Sequence, residues 1–245
     1  MCMVSLSNEE LERYSRQIKV LGVDAQKRLK SSKVLVVGAG GLGSAVLTYL
    51  TAIGVGEIKV IDKEVVELSN LNRQIIYDTQ SIGMPKVDVV TKKLRALNPN
   101  VVLKGYRLDV LKDDIDELVK DSDIIIDCLD NWGSRLILNK LAIRYRKPLI
   151  HAGIEGFYGQ LMVVIPKETP CLSCIFPKPP KEIREIPVVG TVAGLLGILE
   201  VNEAIKVLTG VGEVFKNRLL LVDLLRTEFT VINVRRNPRC PVCSK

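Results

Sequence analysis

At 245 residues, 47% hydrophobic and only 4% aromatic, the chain can bury a substantial core as one large globular domain or a domain with an appendage. Lys and Arg outnumber Asp and Glu by 35 to 28, a net charge of +7 that permits polyphosphates, acidic proteins or nucleic acid as partners without selecting one. The basic residues are scattered and not interleaved with aromatics, so a stacking platform for bases is not expected.

The first residues lack the cationic start, apolar stretch and small-residue cleavage site of a secretory signal, which predicts a cytoplasmic protein. Ser7-Asn8-Glu9-Glu10 fits a capping box, and Leu11, Tyr14 and Ile18 share a helical face. This predicts an amphipathic helix over 7–20, with Arg13 and Arg16 projecting from it. No charged residue stands between Lys33 and Glu57, but six glycines interrupt that run, which reads as strand, turn and helix rather than a membrane span. Strand over 33–37, helix over 44–53 and strand over 58–61 make a βαβ unit. Pro85 opens a helix whose Val87, Val90, Leu94 and Leu97 recur at helical spacing until Asn98-Pro99, and strand resumes over 101–103.

Strand over 123–128, helix over 132–145 and strand over 148–151 continue the alternation, which implies a parallel sheet. After Gly153 the pattern changes: strand over 158–165, a Pro- and Lys-rich stretch over 166–187, an apolar helix over 192–208, and closing strands over 218–222 and 228–234. Pro177, Pro179, Pro180 and Pro187 mark the stretch as an exposed crossing loop. The expected fold is therefore α/β: a Rossmann-like, largely parallel sheet with helices on both faces, extended by antiparallel strands in the C-terminal half.

The glycines at Gly38, Gly40, Gly41 and Gly43 follow a strand and open a helix, so backbone N–H groups and the helix dipole can receive a phosphate. Asp62, at the end of the second strand, suits ribose hydroxyls. Lys86 in the first turn of a helix opposes the macrodipole and calls for an anion or carboxylate beside it. Arg73, in the polar run Ser69-Asn70-Leu71-Asn72-Arg73, offers a fork that matches polyphosphate. Asp130 follows a buried strand at its C-terminal end, where ligands bind in open α/β sheets and a carboxylate can hold magnesium; Asn131 can cap the next helix. Two cations and two carboxylates around one phosphate loop suggest ATP chemistry rather than hydride transfer. A surface lysine, a surface ion pair and a plain helix cap are the alternatives for Lys86, Arg73 and Asp130.

Cys171-Leu172-Ser173-Cys174 and Cys240-Pro241-Val242-Cys243 form two knuckles with the spacing of a closed, structural zinc site made of four cysteines. Disulfides are the alternative. Cys128 reads as core, and Cys2 lies near the start of the chain. His151, the only histidine, reads as structural, since no Ser-His-Asp or Cys-His arrangement accompanies it.

The motifs Tyr14-Ser15-Arg16-Gln17, the glycine loop, Ser69 to Gln74, Pro85-Lys86, Asp127 to Asn131, Gly159-Gln160 and both knuckles together resemble the adenylyltransferases that activate sulfur-carrier proteins. Those enzymes serve thiamine and molybdopterin biosynthesis and are relatives of ubiquitin-activating enzymes. The resemblance covers nearly the whole chain as one adenylating domain. It has an N-terminal helical segment (7–30), a nucleotide-binding half (31–153) and a carrier-binding half (154–245), the last with its crossing loop (166–187).

The resemblance implies MgATP and a small ubiquitin-like carrier ending in Gly-Gly, whose carboxylate attacks ATP to give an acyl-adenylate and pyrophosphate. It further implies ribose binding by Asp62, phosphate binding by Asn70, Arg73 and Lys86, and magnesium at Asp130. It also implies a homodimer in which Arg16 reaches the partner's ATP. Many relatives carry a cysteine in the crossing loop; Lys181 to Pro187 has none, which predicts a separate sulfur donor. A tRNA-directed ATP-dependent dehydratase of the same fold, a nicotinamide oxidoreductase and a non-catalytic zinc-stapled binding module are the competing readings.

Overall fold

The computed structural model describes residues 5–179 and 186–244; Cys2 and the middle of the crossing loop, residues 180–185, lie outside them. The capping box forms: Glu10 N–H donates to Ser7 Oγ at 3.2 Å and Ser7 N–H donates to Glu10 Oε2 at 2.8 Å. The helix expected over 7–20 is broken, and three short helices follow one another: α1 (Asn8–Arg13), α2 (Ser15–Leu21) and α3 (Val23–Ser31). Tyr14 causes the first break. It turns into the core, where its hydroxyl accepts from Asn98 Nδ2 at 2.8 Å. Gly22, at φ 86°, makes the second.

The βαβ alternation then runs as read: β1 (Lys33–Val37), α4 (Gly41–Ala52), β2 (Glu57–Ile61), α5 (Lys86–Leu97) and β3 (Val102–Tyr106). It continues through α6 (Asp116–Lys120), β4 (Ile124–Asp127), α7 (Trp132–Arg144) and β5 (Leu149–Glu155). α6 was not expected from the sequence, because five polar-rich residues that bury only Val119 leave no periodic signal. The C-terminal half adds β6 (Tyr158–Val164), α8 (Leu172–Ile175), α9 (Gly190–Thr209), β7 (Arg218–Asp223) and β8 (Glu228–Asn233).

All eight strands lie in one sheet, ordered β3-β2-β1-β4-β5-β6-β7-β8. β3 to β5 pair in parallel, with Val34 opposite both Ile58 and Ile124, and from β5 onward the pairing is antiparallel. The central strands are covered on both sides. Val34, Val36, Ile124 and Ile126 pack under α4, α5 and α9, while Leu35, Val37 and Ile125 pack under α6, α7 and α8. This is why β1 and β4 read as unbroken apolar runs rather than alternating ones. Each such side chain contributes about 1.5–3 kcal/mol by its burial.

The chain leaves β1 for β2 on one side and pairs β1 with β4 on the other. The crevice at the C-terminal ends of β1 and β4 is the topological switch point where open α/β sheets bind ligands.

Candidate active site

A cleft of about 1010 Å³ opens at that switch point. The turn after β1 forms its floor. Gly38, at φ 101°, approaches the end of β4 so closely that a Cβ would stand 2.4 Å from the Cys128 carbonyl oxygen. A Cβ on Gly43 would meet the Gly38 carbonyl oxygen at 2.1 Å, so any side chain at either position forces the loop open. Tyr77 fastens the loop by donating its hydroxyl to the Ala39 carbonyl at 2.8 Å.

Asp62 ends β2 beside the loop. Its carboxyl accepts from Ala39 N–H and Glu64 N–H, each at 2.8 Å. Burial pushes this carboxyl up, against the pull of Lys86 and of those two N–H groups. Lys86, at the start of α5, is tied to the loop after β2 by its backbone, which donates to the Glu64 carbonyl at 3.0 Å. That tether buries the lysine side chain and sets its Nζ 2.6 Å from Glu64 Oε2. The surface-lysine alternative is thereby excluded.

Leu68–Asn70 fold as a short 3₁₀ turn, held by Asn70 Oδ1 accepting from Glu67 N–H at 3.0 Å, and Leu71 and Asn72 continue the turn. Arg73 then folds back, with Nη1 donating to the Ser69 carbonyl at 2.8 Å. The start of α9 presses on this turn: a Cβ on Gly190 would lie 2.6 Å from the Asn72 carbonyl oxygen. This contact brings the two halves of the chain together at the cleft.

Asp130 is exposed just past the end of β4, where its Oδ1 accepts from Asn131 Nδ2 at 3.3 Å. Asn131 is the cap of α7, accepting from Ser134 N–H at 2.8 Å. The cap belongs to Asn131, which leaves Asp130 on the wall of the cleft. Gly38, Gly40, Gly41, Asp62, Ser69, Asn70, Asn72, Arg73, Lys86, Asp130 and Asn131 thus line one cavity. Gly43 supports the loop from behind, and Leu71 packs into the core. Arg16 is exposed on α2 and does not line its own chain's cleft.

Several residues of the site had no sequence signal. Glu64 and Arg135 line the cleft, Arg135 from inside α7 and only 5% exposed. His151 is fully buried below it. Its Nδ1 donates to Asp127 Oδ2 at 2.7 Å, and Gln160 Nε2 stands 3.3 Å from His151 Nε2. Burial pushes the imidazole down despite Asp127, which keeps it neutral and lets Nε2 accept from Gln160. On the opposite face, Glu200 of α9 is fully buried next to the Cys128 thiol, and burial pushes both groups well up. A protonated, apolar-packed Cys128 is inert core, as read from its strand position.

The four cysteines of the two knuckles converge as their spacing foretold. All four sulfurs lie within 4.8 Å of one another, with Cys171–Cys240 at 3.7 Å and Cys174–Cys243 at 3.3 Å. Four thiolates about 2.3 Å from a zinc ion stand about 3.8 Å apart along a tetrahedron's edges, so the donor set fits that ion. These cysteines are free, with no disulfide among the described residues. Among the described residues no helix is long and apolar enough to cross a membrane.

The arrangement therefore pairs a glycine loop with a buried lysine, an arginine and an exposed carboxylate. Residues 14–242 match the ThiF family. The chain belongs to the ThiF family. This ThiF-family chain is 41% identical to the sulfur carrier protein adenylyltransferase of Thermus thermophilus, over 97% of its own length and 92% of that protein's. It is 39% identical to the SAMP-activating enzyme E1 of Haloferax volcanii, over 99% and 92% of the two chains. Among solved structures, E. coli MccB with AMPCPP and selenomethionine MccA superposes with a TM-score of 0.84 at 26% identity, covering 94% of this chain and 74% of that one. The ThiF-family chain is an enzyme, an adenylyltransferase. The resemblance read from the motifs holds, and the oxidoreductase and non-catalytic readings fall.

Proposed function

We propose that this enzyme transfers AMP from MgATP to the C-terminal glycine carboxylate of a ubiquitin-like sulfur-carrier protein, releasing pyrophosphate. The observation that carries this reading is the meeting of Lys86, Arg73 and Asp130 on one cleft beside the glycine loop. A terminal carboxylate is already ionised and needs no base. The enzyme's task is to align it with the α-phosphate and to offset the charge that develops on the phosphates. Asp62 would hold the ribose; Asn70, Arg73 and Lys86 the phosphates; and Asp130 the magnesium ion. The four cysteines would hold a structural zinc ion that fastens the C-terminal end, after β8, to α8.

Residues 31–153 form the nucleotide half of a single adenylating domain, and residues 154–245 the carrier half. Arg16 completes the site of the second protomer in a homodimer, a role supported by its exposure away from its own cleft. With no cysteine from 175 to 239, the crossing loop offers no thiol for a thioester, so catalysis stops at the acyl-adenylate and sulfur comes from another protein.

The test is ATP–pyrophosphate exchange with magnesium, using purified carriers of the thiamine and molybdopterin type and, separately, bulk tRNA. Exchange that depends on a Gly-Gly-ended carrier supports the reading. ATP hydrolysis stimulated by tRNA, with no carrier giving exchange, replaces it with the dehydratase.

A further inference from the structure

Among the described residues, Arg135 is the one arginine of the cleft wall whose side chain is almost wholly buried, at 6% exposure. It sits on α7 five residues after Asp130 and lines the same cleft as Asp130, Ile186 and Val188. Its Nη2 is fully engaged, donating to the Leu129 carbonyl at 2.5 Å and the Ala152 carbonyl at 3.2 Å. Its Nε has no hydrogen-bond partner, the nearest acidic oxygen being Asp127 Oδ2 at 3.9 Å. Nothing among the described residues accepts from Nη1. The absent side chain of Gly153 keeps Nη1 uncovered, since a Cβ there would lie 3.4 Å from it and 3.1 Å from Gln160 Nε2. A guanidinium buried this deeply with donors to spare awaits an acceptor.

Resting on the adenylation reading above, we propose that Arg135 binds the carrier's tail, donating from Nη1 to the carbonyl oxygen of its last peptide group. Asp127 already offsets the arginine's charge, so a neutral carbonyl is a better match than a second carboxylate. The choice also serves the chemistry. A terminal carboxylate clamped by an arginine is a poorer nucleophile, whereas a carbonyl held one residue earlier leaves the carboxylate free to reach the α-phosphate. The room left by Gly153 accommodates a tail without side chains, which suits glycine at the carrier's end.

The experiment is a double-mutant cycle in carrier-dependent ATP–pyrophosphate exchange. A semisynthetic carrier whose final peptide bond is an ester presents a weaker carbonyl acceptor at the same place. It is compared with the natural carrier on the wild-type enzyme, on Arg135→Lys and on Gly153→Ala. The last variant keeps the guanidinium's bonds to Leu129 and Ala152 while covering Nη1, and it supplies the cycle should Arg135→Lys not fold.

The wild-type enzyme is expected to lose about five- to tenfold in kcat/KM for the ester carrier, and the folded variants less than about twofold, with KM for ATP unchanged throughout. The N–H removed with the ester is lost on every enzyme and cancels. An equal ester penalty on wild type and variants overturns the role of Arg135 and leaves adenylation standing. A wild-type enzyme that gives no exchange with the natural carrier overturns adenylation and this proposal together.

Discussion

Lys86 Nζ lies 2.6 Å from Glu64 Oε2, and the pair is lopsided: the lysine side chain is 2% exposed and the glutamate's is 54% exposed. A buried cation is held by one flexible carboxylate that water can reach, so an incoming polyphosphate can displace the glutamate. If Lys86 binds the phosphates as proposed, Lys86→Ala is expected to lower exchange by about 100-fold or more, because a buried charge is removed from the cleft. Glu64→Gln is expected to lower KM for ATP by about threefold, since it removes the competing anion. A rise in that KM would mean that Glu64 orients the lysine instead.

Asp130 and Asn131 are neighbours with separable tasks. Asp130→Ala removes an exposed carboxylate, so thermal stability stays the same while magnesium-dependent exchange disappears. Asn131→Ala removes the α7 cap and costs about 1 kcal/mol of stability, read as a lower Tm.

The knuckles predict a single zinc ion per chain by metal analysis. Stripping it with a chelator, or Cys174→Ser, is expected to lower Tm by about 10 °C or more, because an ion held by the four cysteines would join α8 to the chain after β8. Burial pushes the Cys171 and Cys174 thiols up, so thiolates there need a cation to stabilise them. A Tm indifferent to the chelator would remove zinc from the account.

Two buried groups set opposite pH dependences. His151 is pushed below its ordinary value near 6.5, chiefly by burial, so the unfolded chain takes up its proton first. The resulting destabilisation is absent above about pH 7 and grows as pH falls through 6.5, and His151→Gln removes it. Glu200 is pushed well above its ordinary 4.5, again by burial. Its proton favours the folded state fully below pH 4.5, and that stability is lost as pH rises above it. Glu200→Gln is therefore expected to raise Tm more at about pH 8 than at about pH 5. Urea unfolding across that range checks both signs.

The proposed homodimer has a direct test in complementation. On that proposal Arg16→Ala and Lys86→Ala would damage different chains of one composite site, and each variant alone is expected to be inactive. Mixed in equal amounts, they form heterodimers with one intact site and recover about a quarter of wild-type activity. No recovery would mean that Arg16 does not act across a dimer interface.

The sequence by itself determined the elements whose signals are local. An unbroken apolar strand, a glycine turn and a helix start lie within about ten residues, and the knuckle spacing admits a tetrahedral site wherever the chain brings the pairs together. Gly38, Asp62, Lys86 and Asp130 were legible for the same reason, since each stands at a strand end or helix start that periodicity locates. Tertiary structure alone decided what depends on partners distant in the chain. The helix break at Tyr14 follows from its contact with Asn98. The burial of Lys86 follows from Glu64, twenty-two residues earlier. Arg135, Asp127, His151 and Gln160 come together only because β4, β5 and β6 lie side by side in one sheet. A polar residue inside a helix or strand reads as surface until the strand order shows what packs over it, because burial is a property of the assembled layers and not of any local segment.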